Sequence, residues 1–150
     1  MNTDNQELTH FLNVDLDLFS KSNLDPLVNA IGKKVRVLYI GRHKGTYRAH
    51  LEVGALTKDA DSTIRAFCAV IRTLPKAAIK HWYAAKVRDF NIGVQAMTQP
   101  NSYEIALEEQ TVRAASEVKA RIVLTVYGAG LGERAHRAAA LAITRIWRKD

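Results

Sequence analysis

The stretch HFLNVDLDLFS, residues 10–20, alternates without a break. Leu12, Val14, Leu16 and Leu18 point one way, and Asn13, Asp15 and Asp17 point the other, between Phe11 and Phe19. Period two over this length is the signature of a half-buried β-strand. A chain containing such a strand needs a sheet with one covered face and one wet face. The wet face is where Asn13, Asp15 and Asp17 belong.

The elements that follow are consistent with that requirement. SKSNLDPLVNAIG predicts a short helix, with Ser22 or Asn23 as cap, Pro26 in the first turn and Gly32 at the end. KVRVLYI and TYRAHLEV predict two strands joined by GRHKG. On the second of them Arg48, His50 and Glu52 face outward. A helix begins after TKDADS, with Ile64, Phe67, Cys68, Ile71 and Leu74 at helical spacing, and Pro75 breaks it before a second helical piece, KAAIKHWYAAKV. FNIGVQAM predicts a strand with Asn91 and Gln95 on its polar side. TQPNS is a turn, YEIAL a short strand, EEQTVRAASEV a helix and RIVLTVY the last strand.

The first four strands and two helices run β-α-β-β-α-β, the ferredoxin-like order. The expected fold class is therefore α+β: a ferredoxin-like core with a β-α-β extension, a mainly antiparallel sheet of about six strands, and helices on one face. Residues 1–9 are read as a disordered N-terminus and residues 10–128 as one domain. Residues 129–150 are read as a glycine hinge (GAGLG, from Gly128 to Gly132) and a basic C-terminal helix.

Composition narrows the chemistry. One cysteine, Cys68, excludes an internal disulfide and suits a reducing compartment, so cytoplasm is the default. No apolar run reaches the ~18 residues of a membrane span, and the polar start MNTDNQELTH does not resemble a secretory signal. The formal charge of +7 is uneven: residues 1–32 sum to −4 and the remainder to +11. Arg65, Arg72 and Lys76 fall on one flank of the central helix and offer a route to nucleic acid. The stacking aromatics of RNA-binding sheets are missing.

Asp15 and Asp17 invite a metal reading, because residues i and i+2 of a strand lie roughly 6.5–7 Å apart on one face. A metal-dependent phosphoryl-transfer enzyme would also need a phosphate anchor near them, and none is local. The expectation is instead that both are surface carboxylates paired with Arg36, Arg48 or His50 on neighbouring strands. Each would then shift stability by no more than ~1 kcal/mol when neutralised. GLGERA, residues 130–135, matches the dinucleotide-binding G-x-G-x-x-A, but the chain ends after one helix, without the second strand and its acid. Cys68 sits on the apolar stripe and reads as a core residue. No cofactor, metal site or catalytic constellation is expected.

FLNVDLDLFS, FNIGVQAM and the closing SYEIALEEQTVRAASEVKARIVLTVYG together resemble a group of small uncharacterised bacterial α+β domains. The likeness covers roughly residues 10–128. Some members of that group are thought to act as immunity proteins beside toxins, so the resemblance implies a non-catalytic protein whose partner is another protein. The polar sheet face formed by Asn13, Asp15, Asp17, Arg48, His50, Asn91 and Gln95 is the candidate partner-binding surface.

Overall fold

A computed structural model describes residues 8–53 and 59–128 of the chain. The order of elements is β1 (His10–Ser20), α1 (Asp25–Ile31), a 3-10 turn (Gly32–Lys34), β2 (Val35–His43), β3 (Thr46–Val53), α2 (Ala60–Arg72), α3 (Lys76–Ala84), β4 (Val87–Gln95), α4 (Glu109–Glu117) and β5 (Arg121–Tyr127). The strands form one sheet in the order β2-β3-β1-β4-β5. The pairings β2–β3, β3–β1 and β1–β4 are antiparallel, and β4–β5 is parallel. The result is an α+β fold with a five-stranded mixed sheet and four helices among the described residues.

Local chemistry explains the boundaries. The Asn23 carboxamide accepts the Asp25 N–H at 2.9 Å as α1 begins, and Gly32, at φ 66°, ends it. Lys44 and Gly45 both have positive φ, as a two-residue type I′ hairpin demands. The β2–β3 turn is therefore tighter than the five-residue loop expected, and β2 runs on to His43. Asp59 caps α2 by accepting the Ser62 N–H at 2.7 Å. Pro75 starts α3, its carbonyl accepting from Ala78 and Ile79.

All four helices lie over one face. Val14, Leu16 and Leu18 of β1, Ala49 and Leu51 of β3, and Phe90, Ile92 and Val94 of β4 share a single buried cluster with the apolar sides of α1, α2 and α4 and with Trp82 of α3. Phe67 stacks on Phe90 with centroids 5.7 Å apart. The Trp82 indole N–H reaches the Val118 carbonyl at 2.8 Å, which fixes α3 to the end of α4. Cys68 is buried in this core, as its position on the stripe implied.

Three expectations change. The sheet has five strands among the described residues, because YEIAL, residues 103–107, pairs with none of them. Ile105 and Leu107 pack against the core, and the Glu108 N–H is held by Asp61 Oδ1 at 2.8 Å. An extended chain lying on a core alternates in the same way as a strand, so the pattern reported burial and not pairing. A register shift in β1 between Phe11 and Asn13 also reverses one position. Phe11 packs on the core, while Leu12, expected inside, lines the open face. Finally Thr9, read as part of a disordered N-terminus, is tied to Met97 and Gln99 by backbone and hydroxyl hydrogen bonds. The hinge and the basic helix expected over residues 129–150 lie outside the described residues.

The parallel strand β5 is pinned on the open face by one ion pair. Arg121 grips both oxygens of Asp89 at 2.7 Å each, at the register position where the two strands meet. Asp89 is buried and stands beside Asp17 of β1, so Arg121 neutralises a carboxylate that has a like charge as its other neighbour. Because the arginine itself is largely exposed, Arg121→Ala should cost about 1–2 kcal/mol. Urea denaturation is the measurement, and faster hydrogen exchange in residues 121–127 should accompany the loss.

Candidate functional site

The open face is assembled by register. Asp15 of β1 sits between Glu52 of β3 and Asn91 of β4, while Asp17 sits between His50 and Asp89. Since every second residue of these strands is committed to the core, their polar residues form two rows running across the sheet.

The first row is a continuous hydrogen-bond chain across four strands. The Thr125 hydroxyl donates to Asn91 Oδ1 at 2.7 Å, and Asn91 Nδ2 donates to Asp17 Oδ2 at 3.2 Å. His50 Nδ1 donates to Asp17 Oδ1 at 2.6 Å. The imidazole is fixed further by Tyr39, 5.8 Å between centroids, and by the edge-on ring of Phe19 at 6.1 Å. Asp17 is thus held from both sides.

The second row is less well compensated. Asn13 Nδ2 donates to Asp15 Oδ1 at 2.9 Å and to Glu52 Oε1 at 3.3 Å, and Arg36 closes an ion pair on the other oxygen of Glu52. Asp15 has no ion pair of its own among the described residues. Burial, then the charges of Asp17 and Glu52, push its carboxyl up to about 7, against the weaker pull of His50 and Arg36. Burial and the carboxylates of Asp15 and Asp17 likewise push the Tyr127 phenol above its usual range. Beside Asp15 the surface opens into a recess of about 290 Å³, lined by Leu12, Asn13, Asp15, Arg36, Leu38, Glu52 and Tyr127. Gly93, opposite Asn13, leaves space for that side chain: a Cβ there would stand 3.1 Å from Asn13 Oδ1.

Of the seven residues expected on a partner surface, Asn13, Asp15, Asp17, His50 and Asn91 come together here. Arg48 shares the face, but its guanidinium lies over the Phe19 ring at 5.1 Å. Gln95 is only 4 % exposed, its amide donating to the carbonyls of Ala96, Tyr127 and Gly128 where β4 and β5 end. The pairing of both acids with basic side chains needs correction. Asp17 has His50, but Arg36 goes to Glu52, and Asp15 has no cationic partner among the described residues. Glu52, Arg36, Leu38, Thr125 and Tyr127 were not among the seven candidate partner-binding residues, although Glu52 was read as facing outward and Arg36 as a partner of the acids. Glu52 was visible in the alternation of TYRAHLEV, whereas Tyr127 needed the strand order.

The basic flank of α2 is largely spoken for: Arg65 pairs with Asp61 at 3.0 Å, and Arg72 with Glu117. The Cys68 thiol, pushed up to about 11 by burial, is not an activated nucleophile. No group of three or more His, Cys, Asp and Glu side chains arranged to hold a metal occurs among the described residues. No helix among them is long and apolar enough to cross a membrane. No protein-family model, curated protein or solved structure matches the chain.

The arrangement can accept a cation. The recess carries two carboxylates around one arginine, with a third carboxylate in the next row. An arriving guanidinium or ammonium would compensate Asp15. Without it, the charged form of Asp15 is a cost to the folded state. Unfolded, the group titrates near 3.8; folded, it keeps its proton up to about 7, so the folded state binds more protons in between and loses stability as pH rises. Asp15→Asn should therefore match the wild type at about pH 4 and become the more stable protein by about pH 7. The gain is at most about 4 kcal/mol by linkage, well beyond the value for an exposed pair. Urea denaturation of both proteins across this range decides the matter; a difference that does not vary with pH contradicts it.

Proposed function

We propose that this protein is a non-catalytic recognition module that binds another protein through the open face of its sheet, taking a basic side chain of the partner into the recess at Asp15. The observation that carries this reading is the recess itself: a concave, half-apolar site in which the central carboxylate has no cationic partner among the described residues. Leu12 and Leu38 supply apolar contact for an aliphatic stem, and Asp15, Glu52 and Asn13 supply acceptors for its charged head. The resemblance to immunity-type bacterial domains favours a toxin as the partner, with this protein as its inhibitor.

The finer description of the fold belongs to the same reading. We take β1 to β4 with the helices between them as a ferredoxin-like core, supported by β1 lying between β3 and β4 while β2 pairs only with β3. On this view α3 and the β5 unit are additions. The free buried thiol of Cys68 favours the cytoplasm.

The two other readings draw less support. Nucleic acid would meet the carboxylates of Asp15, Asp17 and Glu52 at the centre of the open face, and Arg65 and Arg72 are already in ion pairs. A phosphoryl-transfer site on Asp15 and Asp17 would have to break Asp17 away from His50 and Asn91.

Copurification of the full chain from its native cell tests the proposal. The expected result is a protein partner retained by the wild type and lost with Asp15→Lys or Glu52→Lys. Affinity should rise with pH toward about 7, by up to about tenfold per unit, as the proton on Asp15 is displaced. Asp15→Asn should weaken binding and abolish that dependence. Recovery of nucleic acid, with affinity falling steeply in salt, would overturn the reading.

A further inference from the structure

The far edge of the sheet carries a second surface. Among the described residues β2 pairs with β3 alone, so its outer row of peptide groups faces away from the sheet. Four consecutive large apolar residues stand on it, Val37, Leu38, Tyr39 and Ile40, each 38–47 % exposed. Natural edge strands are normally short, charged, bulged or covered; β2 has a register shift between Val37 and Tyr39, and beyond it the apolar edge is a template for strand addition. Basic residues bracket it. Lys33, Lys34 and Arg36 stand at one end, and Arg42 and Lys44 at the other. The three lysines make no ion pair among the described residues, while Arg36 is shared with Glu52 and Arg42 lies over the Tyr47 ring at 5.3 Å.

Those charges choose the occupant. Antiparallel pairing of two copies through residues 37–40 would set Lys33 or Lys34 opposite Arg42 or Lys44 at both ends, and like charges directly opposed destabilise a strand pair. The lysines that keep the edge from pairing with itself also invite a strand of the opposite charge. We propose that β2 is a strand-addition site for an extended segment of a partner protein, apolar at its centre and acidic at both ends. Main-chain hydrogen bonds to β2 supply the affinity, and the lysines set the choice of partner. The site shares Arg36 and Leu38 with the recess but takes the opposite charge and does not involve Asp15.

The test uses the full chain and two fluorescent peptides of alternating valine and threonine, one flanked by glutamates and the other by lysines. Anisotropy should show the glutamate-flanked peptide binding at least about tenfold more tightly, with the difference shrinking as salt is added. The Lys33→Glu, Lys34→Glu double variant should reverse the preference. Ile40→Lys, at an exposed position, should weaken both peptides, and Asp15→Asn should change neither. Amide signals of residues 36–42 should shift and gain protection from exchange on binding. Equal binding of the two peptides, binding mapped to another surface, or no binding of either overturns the proposal. So does a concentration-dependent dimer joined through β2.

Discussion

The burial of one side of β1 is the constraint on which the rest depends. Val14, Leu16 and Leu18 sit beneath the helices with almost no exposure, and β1 has a strand on each side. Because side chains alternate with a period of two, a slip of one residue would drive Asp15 and Asp17 into the core. The hydrophobic set therefore fixes the register, and the register fixes which polar groups meet. Asp15 faces Glu52 and Asp17 faces Asp89 because the apolar residues between them must face inward.

That coupling explains why an unfavourable electrostatic arrangement persists. The open face resolves most of its conflicts locally: Arg121 neutralises Asp89, His50 and Asn91 hold Asp17, and Arg36 answers Glu52. Each is a cross-strand interaction between neighbours on one face, the distance over which such pairs act. Asp15 occupies the middle of the central strand, where Arg36 is already engaged and Arg48 has turned over Phe19. Its high pKa is a consequence of position, since the position cannot be vacated without losing the core beneath it.

The sequence discloses these features unevenly, and the reason is physical. Periodicity reports burial. It located β1, β3 and α2 with little error because each has one buried side and one wet side; β4, largely buried on both sides, begins at Val87, ahead of the expected Phe90. It misread residues 103–107, where the buried side belongs to a segment without a strand partner, and it missed the reversal at Leu12, because a shift in register leaves no mark on composition. Pairing is a property of two segments together. The parallel attachment of β5, which brings Arg121, Thr125 and Tyr127 to the site, was for that reason not legible in RIVLTVY alone. The missing partner of Asp15 was hidden for the same reason: arginines are plentiful in the chain, and only the geometry shows that none among the described residues pairs with it.

A carboxylate held at a cost in the free protein has a thermodynamic corollary for binding. Whatever cation compensates Asp15 removes the penalty that burial and its acidic neighbours impose, so part of the association free energy is relief of a strain already present in the unbound fold. The floor of the recess is rigid enough for this to matter, since β1 and β3 are packed against the core on their other side. Relief of this kind discriminates by charge and not by shape. An uncharged side chain of the same length could fill the space between Leu12 and Leu38 and leave Asp15 as it was, whereas a guanidinium would lower its pKa and release a proton. The fold thus supplies the site with selectivity through the same register that protects its core.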